Sequence, residues 1–250
     1  MRMAKTAFAK PSLSLRGEGE KMIPIRDNNP TYSKPFVMYG IILLNVYVFY
    51  REVVISDPML QRIIFDFGLV PAELVQGVTQ NPLHLGIYIP LITNLFLHGG
   101  WLHIIGNMWY LKIFGDNIED RIGHGQFLLF YILCGIVANV AQVIIDPASQ
   151  TPTIGASGAI SGVLGAYVLC FPWAKVSTLV PIFFFLTIID IPALLFIGFW
   201  FYLQLLSGTA ALTTAGSNVA WWAHIGGFVA GMILVVLFPK RQYYKDYDIR

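Results

Sequence analysis

Long apolar runs, each cut off by charge, glycine or proline, constrain this chain more than any other feature. They fall at residues 36–55, 100–114, 127–145, 157–171, 192–206 and 219–238, with a further ambiguous run at 176–191 broken by Pro181 and Asp190. A stretch of about 20 apolar residues crosses the roughly 30 Å hydrocarbon core as a helix. In hydrocarbon the backbone must satisfy its own hydrogen bonds, so helices are the expected form. The chain is 56% apolar and 12% charged, where soluble domains carry roughly 25% charge. The fold class expected is therefore an all-α polytopic membrane protein. A net charge of +2 is too small to point to nucleic acid, and the partner that composition implies is the lipid bilayer.

Charge placement sets the topology. Residues 1–35 hold seven Lys/Arg, among Gly and Pro, and read as a flexible tail against anionic headgroups. Nothing in this tail resembles the apolar core of a cleaved signal peptide. Residues 239–250 form a second basic tail with Lys240, Arg241, Lys245 and Arg250. The positive-inside rule puts both tails in the cytoplasm and requires an even number of spans. Six spans over residues 36–238 fit, and 176–191 then becomes a cytoplasmic-side re-entrant or interfacial segment. Only Arg51 and Arg62 are left outside, Arg51 and Glu52 snorkelling from the end of the first span. Residues 56–97 mix Asp57, Arg62, Asp66 and Glu73 with Leu60, Ile63, Ile64 and Phe65, broken by prolines. That is the pattern of an interfacial, partly amphipathic loop, in which His84 is solvated. Cys134 and Cys170 lie inside apolar runs in no disulfide or metal pattern and read as packing residues.

Polar side chains inside a membrane are costly and mark a site by default. In this topology His98, His103, Asn107, Ser157, Ser161 and His224 come to one depth near the outer face. His103 and Asn107 stack on one face of the second span, and Ser157 and Ser161 on one face of the fourth. Ser157, in Gly155-Ala156-Ser157-Gly158, begins a helix, where unpaired N–H groups and the helix dipole favour an alkoxide and an oxyanion. His224, Gly227 and Gly231 share a face of the sixth span, and Gly158, Gly162 and Gly165 offer small surfaces on the fourth, so the two backbones can approach closely. Such an approach brings His224 within reach of Ser157. As chemistry this is a serine nucleophile, a histidine base, and Asn107 with His103 as oxyanion donors. No carboxylate stands near to orient the base, so a Ser–His dyad is expected. Each feature also has a plainer reading: close packing for the glycines and Ser161, interhelical bonding for Asn107, loop anchoring for His98, solvation for His124, interface anchoring for Trp101, Trp109, Trp221 and Trp222.

Four motifs in order, His98-Gly99-Gly100-Trp101-Leu102-His103-Ile104-Ile105-Gly106-Asn107, Phe114-Gly115-Asp116-Asn117-Ile118-Glu119-Asp120, Gly155-Ala156-Ser157-Gly158 and Ala223-His224-Ile225-Gly226-Gly227 with Gly231, resemble the rhomboid family of intramembrane serine proteases. The resemblance implies a six-transmembrane-helix bundle that cuts peptide bonds in or beside the transmembrane helices of other proteins, without a cofactor or metal. It implies Ser157 as nucleophile, His224 as general base, and His103 and Asn107 as oxyanion donors with the Ser157 N–H. It implies a structural or water-retaining His98, and Gly227 and Gly231 as the contacts of the sixth span on the fourth. Two positions depart from the family. Ser161 stands where some members stack an aromatic on the catalytic histidine, and the first outer loop lacks the Trp-Arg pair of some bacterial members.

Rival readings have less support. The His98–His103 spacing suits a histidine-box oxygenase, yet the chain has five histidines in total, and the absence of H-E-x-x-H argues against a zinc protease. A binding or escort protein would be free to lose Ser157, His224 and Asn107. A transporter would need a membrane-embedded acid or base besides histidine.

Overall fold

The computed structural model describes residues 22–182, 185–212 and 219–241. Outside the described residues lie the expected tails up to residue 21 and from residue 242, and residues 183–184 and 213–218. Among the described residues, three helices are long and apolar enough to span a membrane: α1 (Phe36–Val54), α6 (His124–Ile145) and α8 (Ala193–Ala211). A fourth span results if α5 (Trp101–Ile122) is joined to the short turns before it, Leu85–Phe96, which meet it at 84°. Two apolar helices are shorter, α7 (Ser157–Cys170) and α9 (Trp221–Leu237). Between α1 and α5 the chain is not an irregular loop. It folds into α2 (Asp57–Phe67), α3 (Pro71–Gln80) and α4 (Pro90–Thr93), each started by a proline in its first turn, where a missing N–H costs nothing.

The fold is mostly helical as expected but not all-α: it also holds a three-stranded antiparallel sheet of β1 (Ile23–Asp27), β2 (Lys175–Ile182) and β3 (Phe185–Pro192), ordered β1-β2-β3. The run at 176–191 thus holds two paired antiparallel strands, with Val176 opposite Ile191 and Ser177 opposite Asp190. Val176, Val180, Ile188, Ile189 and Ile191 are β-branched, the side chains that favour a pleated surface. Part of the expected flexible tail is also built in: β1 pairs with β2, and Trp109 on α5 donates its indole N–H to the Pro24 carbonyl at 2.6 Å.

The core is the packing of α5, α6, α7 and α9 around Phe114, Phe127, Phe130, Tyr131 and Tyr167, all buried. Glycine decides how closely α7 and α9 meet. A Cβ on Gly227 would lie 2.0 Å from the Gly158 carbonyl oxygen, one on Gly231 1.9 Å from that of Gly162, and one on Gly165 2.1 Å from that of Phe228. On the other side of α7, a Cβ on Gly162 would lie 2.5 Å from the Cys134 side chain of α6. Cys134 is accordingly a buried packing residue.

The acidic end of α5 clamps the start of α1. Glu119 accepts the Val37 and Met38 N–H groups at 3.0 and 2.7 Å and pairs with His124, which is therefore not a free solvated ring. Asp120 accepts the Tyr32 and Ser33 N–H groups at 2.8 and 2.9 Å, and the Arg241 guanidinium donates to the Ser33 hydroxyl at 2.9 Å. Glu119 thus serves orphan donors in the first turn of α1, and Asp120 holds the segment leading into it. Asp27 at the end of β1 accepts the Tyr167 hydroxyl of α7.

Candidate active site

Ser157 is the first residue of α7. The first helical bond there runs from the Ile160 N–H to the Ala156 carbonyl at 3.0 Å, so the N–H groups of Ser157, Gly158 and Ala159 have no partner within the helix. The turn into α7 depends on Gly155, whose φ of +122° belongs to glycine. Its N–H donates to the Asn94 carbonyl at 2.9 Å, and Asn94 forms a reciprocal amide pair with Asn139 of α6, both bonds 2.9 Å. Leu69 and Thr153 exchange backbone bonds of 3.0 and 2.7 Å and pin the same loop to the α2–α3 connection. Asn94, Asn139 and Thr153 carry no motif, and sequence reasoning passed over them.

At the head of α9, His224 meets this turn. Its Nε2 lies 2.8 Å from the Ser157 Oγ. Its Nδ1 lies 2.8 Å from the Oε1 of Gln204, a buried amide on α8 that sequence reasoning missed. The ring is flanked by two indoles, Trp200 tilted at 37° with centroids 6.2 Å apart and Trp221 edge-on at 6.1 Å. These rings come from α8 and α9, not from the position of Ser161, and Trp221 is more than an interface anchor. Ser161 donates to the Ser157 carbonyl at 2.7 Å and is buried.

His103 and Asn107 project from α5 into the same space. The Gly99 N–H donates to His103 Nδ1 at 3.4 Å, which leaves Nε2 as the protonated nitrogen of a neutral ring. That Nε2 would lie 2.6 Å from a Cβ on Gly155, and the Asn107 Nδ2 would lie 3.7 Å from it. Asn107 is buried, and its Nδ2 has no acceptor among the described residues. Both nitrogens thus lie beside Gly155, two residues before Ser157. His98 is placed differently. It is buried with its ring edge-on to His103, centroids 5.1 Å apart, and neither ring nitrogen has a partner among the described residues. Its backbone N–H donates to both carboxylate oxygens of Glu52 at 3.3 Å. Glu52 is therefore buried inside the bundle and does not snorkel as expected.

Ser157, His224, His103 and Asn107 line one cleft of about 390 Å³, walled also by Tyr110, Leu164, Trp200 and Ala220. A hydroxyl donating to an unprotonated imidazole nitrogen is the geometry of an activated nucleophile, and N–H donors aimed beside it suit a developing oxyanion. Among the described residues no group of three or more His, Cys, Asp or Glu is arranged to hold a metal ion. Of the predicted site residues, the structure brings together Ser157, His224, His103 and Asn107. Gly158, Gly227 and Gly231 lie in the α7–α9 contact beneath them.

Comparison with known proteins agrees with this architecture. The Rhomboid domain profile matches residues 86–241. The human presenilin-associated rhomboid-like protein, mitochondrial, is 28% identical over 200 residues, covering 77% of this chain and 46% of that protein. Rhomboid-like protease 3 of Toxoplasma gondii is 29% identical over 152 residues, covering 60% of this chain and 51% of its own length. The putative rhomboid protease YdcA of Bacillus subtilis (strain 168) is 32% identical over 115 residues, covering 44% and 57%. The chain thus spans about half the length of the curated relatives it matches. With the domain profile extending over well more than half of its residues, this multi-pass membrane protein belongs to the Rhomboid family.

Proposed function

We propose that this protein is an intramembrane serine endopeptidase, hydrolysing peptide bonds in or next to the transmembrane helices of other membrane proteins through a Ser157–His224 dyad. The observation that carries the reading is the 2.8 Å contact between Ser157 Oγ and His224 Nε2 at the head of an open cleft. Two relatives bear the word protease in their names. Six spans, α1 and α5 to α9, sit with both basic tails in the cytoplasm and the cleft near the outer face of the cell membrane. A 14-residue α7 is only about 21 Å long. A helix that short leaves one end below a membrane surface, and in this reading it is the Ser157 end, with room for water above it.

Ser157 Oγ attacks the scissile carbonyl carbon as its proton passes to His224 Nε2. The oxyanion is met by the Ser157 N–H, Asn107 Nδ2 and His103 Nε2. Collapse breaks the C–N bond, and the leaving amine takes the proton from His224. Water, deprotonated by the same nitrogen, then adds to the acyl-enzyme and releases the acid and free Ser157. No cofactor enters any step.

The test is cleavage of a single-span reporter in liposomes by the unaltered protein, Ser157→Ala and His224→Ala, each with and without chelator. Loss in both variants, indifferent to chelator, is expected. Cleavage that survives Ser157→Ala overturns the reading. Reporter binding without cleavage by the unaltered protein points instead to a helix-holding protein.

A further inference from the structure

A general base must keep the correct ring nitrogen free. An imidazole in a membrane cleft has two neutral tautomers, and only the one with its proton on Nδ1 can accept from Ser157. We infer that Gln204 is a positioning residue that locks His224 in that tautomer, so that the site is a Ser157–His224–Gln204 array with an uncharged third member. This rests on the serine-protease reading above.

Three observations carry it. Gln204 Oε1 is 2.8 Å from His224 Nδ1 while His224 Nε2 is 2.8 Å from Ser157 Oγ, so both ring nitrogens are engaged, in opposite senses. The amide cannot be turned over without penalty: its Nε2 donates to the Trp200 carbonyl at 3.3 Å, which leaves Oε1 as the atom facing the imidazole. The flipped amide would set two oxygens against each other and present an N–H to Nδ1. That would drive the ring proton to Nε2, against the nucleophile. Finally, Gln204 is buried and does not line the cleft. It reaches the substrate only through His224. An amide supplies the orienting acceptor without placing a carboxylate in the hydrocarbon layer, where a charge is costly. Trp200 and Trp221 confine the ring laterally, but neither can choose its tautomer.

The experiment compares Gln204→Leu, which keeps volume and removes the acceptor, with Gln204→Glu, which keeps an oxygen on Nδ1. Both are run beside Ser157→Ala on the reporter, and 15N NMR of the His224 ring is recorded in the unaltered protein. Gln204→Leu is expected to lower kcat by about 10- to 100-fold with KM unchanged, the scale on which losing the orienting partner of a metal-bound histidine acts. Gln204→Glu is expected to recover most of that rate. The NMR spectrum should show a protonated Nδ1. Wild-type kcat in Gln204→Leu, equal impairment of the two variants, or a protonated Nε2 in the spectrum would each overturn the inference. The spectrum decides even if the leucine variant fails to fold. Cleavage surviving Ser157→Ala would overturn the parent reading instead, so the two failures are distinct.

Discussion

Gly231 tests how far the site depends on backbone contact between α7 and α9. A Cβ placed there lies 1.9 Å from the Gly162 carbonyl oxygen and 2.5 and 2.6 Å from its C and Cα, all backbone atoms that no rotamer change can move. Restoring an ordinary contact of 3.4 Å requires the two helices to part by about 1.5 Å along that line. His224 lies two helical turns along the same face of α9. A rigid shift of that size stretches the 2.8 Å His224–Ser157 bond beyond hydrogen-bonding range. Gly231→Ala should therefore cut kcat by about 100-fold, the scale of a 1 Å misplacement, and cost about 1–3 kcal/mol for overpacking. The control is Gly198→Ala on α8, where nothing lies within 4 Å of the added carbon. Reporter cleavage and thermal unfolding in one detergent measure both effects. Wild-type kcat and unfolding temperature in Gly231→Ala would refute the claim that glycine contact places the base.

Asn107→Ala should lower kcat by roughly 10²–10³-fold with KM nearly unchanged, the cost of one oxyanion donor; an unchanged rate in a folded protein removes Asn107 from that role. Glu119→Ala strips the acceptor from the Val37 and Met38 N–H groups and should destabilise by about 1–3 kcal/mol, read as a lower unfolding temperature; no change would mean the clamp on α1 is dispensable. Asp27 predicts a pH dependence. Burial pushes its carboxyl from 3.8 up to about 6, against the lowering effect of the Tyr167 hydroxyl. The folded protein thus binds a proton there that the unfolded chain releases between about pH 4 and 6, so this site's contribution falls as pH rises through that window. Asp27→Asn should raise the unfolding temperature at pH 7.5, with the gain fading below about pH 4. An equal gain at both pH values would refute the linkage.

What the sequence reveals here follows from the range of each interaction. The serine at a glycine-flanked helix start and the glycines at matching intervals on α7 and α9 are local patterns, and together with the six-span topology they bring His224 within reach of Ser157. The pairing of β2 with β3 was harder to see because an apolar run in a membrane protein argues for helix or re-entrant segment. The β-branched clustering of Val176, Val180, Ile188, Ile189 and Ile191 was the signal against it. Glu52 sits near the end of a span, where a charge ordinarily reaches for the interface. Only the fold shows that the His98 backbone N–H turns inward to meet it. Gln204 had a signal too, as the one amide in residues 192–206, a group whose presence in hydrocarbon calls for a partner. Its partner could not be named from spacing, because Gln204 and His224 are 20 residues apart on different helices and meet only through the packing of α8 on α9. The proposed nucleophile and base can be read from two local motifs, whereas the group proposed to orient the base belongs to a helix crossing, and only the structure contains that crossing.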